Sequence, residues 1–176
     1  QSENNVEQLP DTTGMKNEGV LFKGQRNRYD KAFVTAGAKL VLYGSEHEGT
    51  TDELEAVINE NTACVAFVIM PFGLHGVGLE ETIRVAHERG VPVIVDAAAE
   101  LPPRANLSKF HKMGADMVAF SGGKGIGGPQ SSGLLAGKAD LVEAAVMNSL
   151  NLDSSVAGIG RPMKVSKENI VGLVTA

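Results

Sequence analysis

The sequence predicts an α/β fold in which a mostly parallel sheet is flanked by helices. Short apolar runs typical of buried strands alternate along the chain with segments typical of helices, and turn residues separate them. One apolar run, 91–95, ends on the carboxylate Asp96, and a glycine-rich loop at 121–130 follows another. Ligands of open α/β sheets bind at the carboxyl ends of the strands, so both features predict a site at one edge of the sheet.

Capping residues and glycines set the bounds of the predicted elements. Thr50 and the acids after it suit a helix start, because hydroxyl and carboxylate oxygens accept hydrogen bonds from first-turn amides. The segment 78–90 has apolar residues on one helical face and ends on glycine. The predicted strands are 19–23, 39–43, 63–70, 91–95, 115–120 and 132–137. The predicted helices are 29–37, 50–59, 78–90, 106–113, 138–150 and 168–176.

Size and charge restrict the classes of protein to consider. The 176 residues are 43% hydrophobic and 21% charged, which is typical of a soluble globular domain. The net charge of −5 argues against a nucleic-acid partner, since such binding needs clustered lysine and arginine. No apolar run is long enough to cross a membrane, and no signal peptide is recognisable. We therefore predict a cytoplasmic protein, with the single cysteine, Cys64, as a buried apolar side chain.

Two polar residues stand out as candidates for catalysis. Lys124 lies between glycines, so its amine can meet a ligand that approaches the backbone directly. Asp96 ends a predicted buried strand. Taken singly, each has a structural explanation: a solvated loop lysine and a helix N-cap. Together they are the pair that a pyridoxal phosphate enzyme requires, an amine for the aldehyde and a carboxylate for the ring nitrogen.

Other common sites are not predicted. The four histidines are far apart, and no two have the i, i+4 spacing of a helical zinc site, so we expect no metal. His87 and His111 are predicted to lie on helix surfaces. The loop around Lys124 lacks the first glycine and the hydroxyl residue of a nucleotide-binding P-loop.

The chain resembles the fold-type-I pyridoxal phosphate enzymes related to bacterial selenocysteine synthase. Within this group, the resemblance is strongest to the branch of the D-glucosaminate-6-phosphate ammonia-lyases. The resemblance spans nearly the whole chain and is most specific in the Lys124 loop and around Asp96. The segments that carry it are 9–17, 26–30, 95–103, 121–130 and 158–164. It implies an aspartate aminotransferase-like large domain, truncated here, with residues 1–150 as its central part. Residues 151–176 are then a linker and the start of an incomplete small domain.

The resemblance also implies how the cofactor is held. Lys124 would form a Schiff base with pyridoxal 5′-phosphate and later accept the proton from the substrate α-carbon. Asp96 would bind the pyridine nitrogen, and Ala98 would lie flat against the ring. Ser121 would bind the phosphate. Gln25 occupies the position where relatives are expected to carry histidine over the ring, so either its amide covers the ring or it is a structural loop residue.

For the substrate, the resemblance implies a basic pair, Arg161 and Lys164, beside an acid group. The guanidinium fork of arginine suits a carboxylate or phosphate, although both residues could equally be solvated linker charges.

The predicted function is a pyridoxal phosphate-dependent lyase that removes water and ammonia from an amino-sugar acid or a related hydroxy-amino acid. The partners expected are this small-molecule substrate and further copies of the chain, as a homodimer or higher homo-oligomer, without nucleic acid or membrane. One alternative is L-seryl-tRNA(Sec) selenium transferase on the same lysine chemistry. The other is a non-catalytic α/β module that binds an anion.

Overall fold

The computed structural model describes residues 3–70, 75–149 and 158–176 and contains one six-stranded sheet. The strands are β1 (Glu18–Phe22), β2 (Lys39–Tyr43), β3 (Thr62–Val68), β4 (Val93–Asp96), β5 (Met117–Ser121) and β6 (Gly133–Gly137). Their order in the sheet is β2-β1-β3-β4-β5-β6. Neighbouring strands from β2 to β5 are parallel, and β6 is antiparallel to β5. The predicted fold class, a mostly parallel sheet flanked by helices, is confirmed.

Helices follow the strands as the sequence pattern predicts. They are α1 (Glu3–Gln8), α2 (Lys31–Thr35), α3 (Thr51–Val57), α4 (Leu79–Glu88), α5 (Asn106–Lys112), α6 (Ala139–Asn148) and α7 (Lys167–Thr175). The short polar helix α1 was not predicted. The predicted helix 29–37 divides into a 3₁₀ turn, Arg28–Asp30, and α2, because Asn27 and Asp30 form a capping box that starts the turn. A second capping box, between Thr50 and Glu53, starts α3.

The main core lies on one face of the sheet. Val20, Val65 and Val93 are paired across β1, β3 and β4, Val118 is paired with Val95 on the same face, and all of them are fully buried. Helices α4 and α5 contact β3, β4 and β5, and they add buried apolar side chains. These contributions include Ile83, Val85, Ala86 and Phe110. Burial on this face leaves Asp96 and Ser121, which point the other way, outside the main core.

The carboxyl end of β1 is built around the ring of Phe22, which is 2% exposed. Its ring centroid lies 5.5 Å from that of Tyr43 on the neighbouring strand. Four glycines approach the ring so closely that an added Cβ on any of them would lie less than 3 Å from a ring atom. They are Gly24, Gly44, Gly49 and Gly76. The absence of side chains at these positions therefore lets three loops close over one aromatic ring.

Candidate functional site

The residues predicted to hold the cofactor lie at the carboxyl edge of the sheet. Asp96 is the last residue of β4, and Ser121 is the last residue of the adjacent β5. Lys124 follows three residues after Ser121, and Gln25 follows three residues after the end of β1. Because parallel strands end at the same edge, the topology brings together side chains that are far apart in sequence.

Asp96 and Ser121 also share one face of the sheet. Asp96 is paired with Ala119 in the parallel register, and Ser121 lies two positions beyond Ala119 on the same strand. Paired residues of parallel strands face the same side, and side chains alternate along each strand. The intervening Phe120 is buried in the main core on the opposite face. Asp96 and Ser121 are half-buried and thus accessible from the side away from α4 and α5.

A short turn after Asp96 is hydrogen-bonded to the adjacent strand β5. The backbone N–H of Ala98 donates a hydrogen bond of 3.0 Å to Oδ1 of Asp96. The carbonyl oxygen of Ala98 in turn accepts a hydrogen bond from the Ser121 N–H at 3.2 Å. Ala98 is half-buried, whereas its neighbour Ala97 is buried. These bonds fix the position of the Asp96 carboxylate relative to the start of the lysine loop.

The lysine loop, residues 122–130, is closed at its base by backbone hydrogen bonds. The N–H of Gly128 donates to the carbonyl oxygen of Gly122 at 2.8 Å, and the Gly122 N–H donates to Ser132 at 2.9 Å. Gln130 donates from Nε2 to the carbonyl oxygen of Gly123 at 3.0 Å. Lys124 is exposed at the tip. The loop base is thus held by hydrogen bonds, and the Lys124 amine is open to a ligand.

Tyr29 lies beside the amine of Lys124, an interaction that was not predicted. Lys124 Nζ lies 5.9 Å from the centroid of the Tyr29 ring, within the range of a cation–π interaction. The Tyr29 N–H donates to Oδ1 of Asn27 at 2.8 Å, which anchors the 3₁₀ turn that carries the ring. Only the folded chain brings positions 29 and 124 together, so no local sequence pattern could reveal this contact.

Gln25 joins the site through β3. The residue is 7% exposed, and its Oε1 accepts a hydrogen bond of 3.2 Å from the N–H of Val68. Val68 is paired with Asp96 in the register of β3 and β4. Gln25 therefore lies one strand away from the acid, and its amide has a defined structural partner. This contact gives Gln25 a structural role, and its role toward the cofactor stays a prediction.

The predicted basic pair lies on a separate segment. Arg161 begins a 3₁₀ turn, Arg161–Met163, and Lys164 ends it; both side chains are exposed. The chain then continues into α7, whose N-cap Ser166 accepts a hydrogen bond from the Asn169 N–H. Of the segment 151–176, predicted as a linker and the start of a small domain, residues 151–157 lie outside the described ranges.

The described residues contain no group of three or more histidine, cysteine, aspartate or glutamate side chains placed to hold a metal ion. In the same ranges, no helix is both long enough and apolar enough to span a bilayer. Cys64 is half-buried on β3, and desolvation raises the pKa of its thiol to about 11.

The donor groups at the carboxyl edge fit pyridoxal phosphate. Lys124 offers a primary amine for the aldehyde, Asp96 a carboxylate for the ring nitrogen, and Ser121 a hydroxyl for the phosphate. Neighbouring strands are about 4.8 Å apart, and two residues advance about 6.6 Å along a strand. The positions of Asp96 and Ser121 on one face are thus separated by about 8 Å along the diagonal.

Comparisons with known proteins agree with this geometry. A 5′-C-glycyluridine monooxygenase-decarboxylase from a Streptomyces species is 36% identical over 97% of this chain and 42% of that protein. A D-glucosaminate-6-phosphate ammonia lyase from Salmonella typhimurium is 35% identical over 96% of this chain and 44% of that protein. An L-seryl-tRNA(Sec) selenium transferase from Aquifex aeolicus is 29% identical over 78% of this chain and 32% of that protein.

A solved structure of D-glucosaminate-6-phosphate ammonia-lyase superposes on this chain with a TM-score of 0.86 and 33% identity. The superposition covers 99% of this chain and 46% of that protein. The chain spans less than half the length of the Streptomyces and Salmonella relatives. These similarities confirm the predicted resemblance to the selenocysteine-synthase-like group and to its ammonia-lyase branch.

The aminotransferase class-V family matches residues 26–155, which include Asp96, Ser121 and Lys124. Pyridoxal 5′-phosphate is the cofactor of this family, and the predicted cofactor is therefore confirmed. The match covers well over half of the 176 residues. The chain belongs to the aminotransferase class-V family.

Proposed function

We propose that this chain forms the cofactor-binding part of a lyase that removes water and ammonia from an amino-sugar acid or a related hydroxy-amino acid. The observation that supports the proposal is the placement of Asp96 and Ser121 at the carboxyl ends of two adjacent strands, with the Lys124 loop directly after Ser121. The likeness to the ammonia-lyase structure over 99% of the chain supports the reaction class.

Each of these residues has a role in the proposed reaction. Pyridoxal phosphate, when bound, supplies an electron sink for the charge that develops at the substrate α-carbon. Lys124 Nζ would hold the cofactor aldehyde, would be freed when the substrate amine takes its place, and would then accept the α-proton. Asp96 would accept a hydrogen bond from the ring nitrogen and keep it protonated, and Ser121 would donate a hydrogen bond to the phosphate. The bond between the β-carbon and its oxygen would break, and the leaving hydroxide would take the proton held by Lys124 and depart as water. A second water molecule would then hydrolyse the unsaturated amine product, which releases ammonia and leaves a 2-oxo acid.

We assign the remaining residues to the edges of this site. Ala98 leaves room beside the ring, and Gln25 covers its other side while it holds Val68. Arg161 and Lys164 bind the acid group of the substrate, since both are exposed cations on one turn. Residues 1–150 form the central part of the large domain, and 151–176 form a linker and the start of the small domain.

The proposed setting is a cytoplasmic homodimer or larger homo-oligomer that acts on a small molecule. A net charge of −5 supports a substrate that is not a nucleic acid.

The cofactor chemistry is tested by absorbance and by borohydride. We expect the full-length protein loaded with pyridoxal phosphate to absorb visible light, and borohydride to bleach this band and fix the label on the Lys124 peptide. Lys124→Ala should lose both signals. Lys112→Ala, an exposed lysine on α5, is the matched control and should keep them. An unchanged band in Lys124→Ala, or no band in any variant, would refute the proposal and favour the non-catalytic anion-binding module.

A second candidate reaction is an oxidative decarboxylation, as in the name of the monooxygenase-decarboxylase relative. That relative is 36% identical to this chain, and the ammonia lyase is 35% identical. The third is selenium transfer to seryl-tRNA, which the more distant relatives perform by name. The full-length protein should be assayed with amino-sugar acids and hydroxy-amino acids. Ammonia and a 2-oxo acid without oxygen uptake support the lyase. Oxygen uptake with release of carbon dioxide supports the second candidate, and a requirement for seryl-tRNA supports the third.

A further inference from the structure

Helix α7 packs directly on the base of the lysine loop. A Cβ added at Gly122 would lie 2.8 Å from Cδ1 of Leu173, and one added at Gly128 would lie 3.2 Å from the same atom. Gly122 and Gly128 are the two residues whose backbone hydrogen bond of 2.8 Å closes the loop. The Leu173 side chain therefore lies in a notch that exists because both ends of the loop lack a side chain.

Two more contacts hold the helix in this position. A Cβ added at Gly172 would lie 2.8 Å from Cγ of Pro129, so this turn of the helix touches the loop without an intervening side chain. Asn169 donates from Nδ2 to Oγ of Ser131 at 2.5 Å. Asn169, Gly172 and Leu173 have the spacing i, i+3, i+4, so the three contacts lie on one face of the helix over two turns. The opposite face carries Val171 and Val174, which are 65% and 82% exposed.

We propose that Leu173 is a positioning residue for Lys124. It fills the notch between Gly122 and Gly128, and it thereby fixes the loop base from which the Lys124 amine projects. The inference rests on the proposed function in one respect, namely that Lys124 is the amine that binds the cofactor. It goes beyond that function because it explains Gly122 and Gly128 by the packing of α7, and not only by the approach of a ligand to Lys124.

The packing also connects two parts of the proposed site. Arg161 and Lys164 precede α7 on a short 3₁₀ turn, and α7 ends against the lysine loop. The segment that carries the basic pair is thereby tied to the Lys124 loop through a single nine-residue helix. Leu173 is the side chain of this helix that reaches both ends of the loop.

The test compares variants on the two faces of α7 in the full-length protein. Leu173→Ala opens the notch, Leu173→Met refills it, and Val174→Ala changes the exposed face. Gly172→Ala should stabilise α7 as a helix, because alanine has a higher helix propensity than glycine. Its added methyl group would, however, displace α7 from Pro129. Hydrogen exchange of the 122–130 amides is measured without cofactor, and pyridoxal phosphate affinity is measured by absorbance.

We expect the loop amides to exchange about tenfold faster in Leu173→Ala and Gly172→Ala, as for any segment that loses its packing. The affinity for pyridoxal phosphate should fall by a similar factor, while Leu173→Met and Val174→Ala stay near the parent protein. The inference would be overturned if amide exchange rose equally across the whole sheet. It would also be overturned if exchange of the loop amides were unchanged in both Leu173→Ala and Gly172→Ala. If Lys124→Ala bound pyridoxal phosphate as tightly as the parent protein, the proposed function would be refuted instead. Exchange of the loop amides would still test the packing of Leu173.

Discussion

The carboxylate of Asp116 lies 2.5 Å from Nζ of Lys138 at the amino edge of the sheet, opposite the candidate site. Asp116 is 1% exposed, and its other oxygen lies 2.8 Å from Nε2 of His87 and accepts a hydrogen bond of 2.7 Å from the Val93 N–H. The prediction that His87 is a helix-surface residue was incomplete, because the imidazole binds this buried acid. One side chain thus joins α4, β4 and the segment after β6.

This network predicts an acid-sensitive contribution to stability. Burial alone would raise the pKa of Asp116, but the hydrogen bonds from Lys138, His87 and Val93 outweigh it and lower that pKa. A lowered native pKa stabilises the fold above the unfolded value, and the contribution is lost as pH falls through the native pKa. We expect Asp116→Asn to cost about 1–3 kcal/mol at pH 7, and the difference to shrink below about pH 4.

Urea unfolding of Asp116→Asn and the parent protein at several pH values measures this difference. Asp140→Asn is the control, since Asp140 is exposed in the first turn of α6. It should change the free energy of unfolding by no more than about 0.5 kcal/mol. A difference that persists undiminished at pH 3 would contradict the role given to the ionised carboxylate.

The glycines around Phe22 predict an asymmetry between two Gly→Ala substitutions. Gly49→Ala would place a Cβ 2.7 Å from the ring of Phe22, and we expect it to cost about 1–3 kcal/mol by overpacking. Gly19→Ala meets only ordinary contacts, 3.8 Å from Leu40 and 3.9 Å from Cys64, and should cost less than about 1 kcal/mol. Phe22→Ala should cost about 3–5 kcal/mol. Denaturant unfolding ranks the three, and equal values for the two glycine variants would disprove the account.

The hydrogen bond between Gln25 and Val68 predicts a contribution of Gln25 to stability. Gln25→Met keeps much of the side-chain volume but removes the oxygen that accepts from the Val68 N–H, and the loss of a buried acceptor should cost about 1–3 kcal/mol. Gln8→Met is the control, because that amide donates to Thr13 on the exposed surface. Thermal or urea unfolding gives both values. Similar stability of the two variants would show that the Val68 contact contributes little.

Cys64 predicts slow thiol chemistry in the native protein. With the pKa raised to about 11 by burial, the thiol stays protonated at pH 8, whereas an ordinary cysteine is partly ionised there. We expect a disulfide reagent to modify Cys64 at least about tenfold more slowly in the folded chain than in urea. A folded-state rate that rises between pH 9 and 11 would agree with the raised pKa. Equal rates in both states would exclude it.

The sequence pattern by itself predicted most of the elements and the candidate reactive groups. Alternating strand and helix signals predicted the parallel sheet, and the strand 91–95 and the glycine loop identified Asp96 and Lys124. Such features are local: a run of branched apolar residues, a cap or a glycine-flanked lysine is visible within about ten residues. The short α1 was missed because its polar sequence has no apolar period.

The tertiary structure decided which of these residues meet. The strand order placed β4 beside β5, and the register put Asp96 and Ser121 on one face. The contacts of Lys124 with Tyr29, of Gln25 with Val68 and of Leu173 with the loop glycines join positions that are separated by 43 residues or more. No local pattern encodes them, because they depend on how apolar faces pack and on which strands become neighbours.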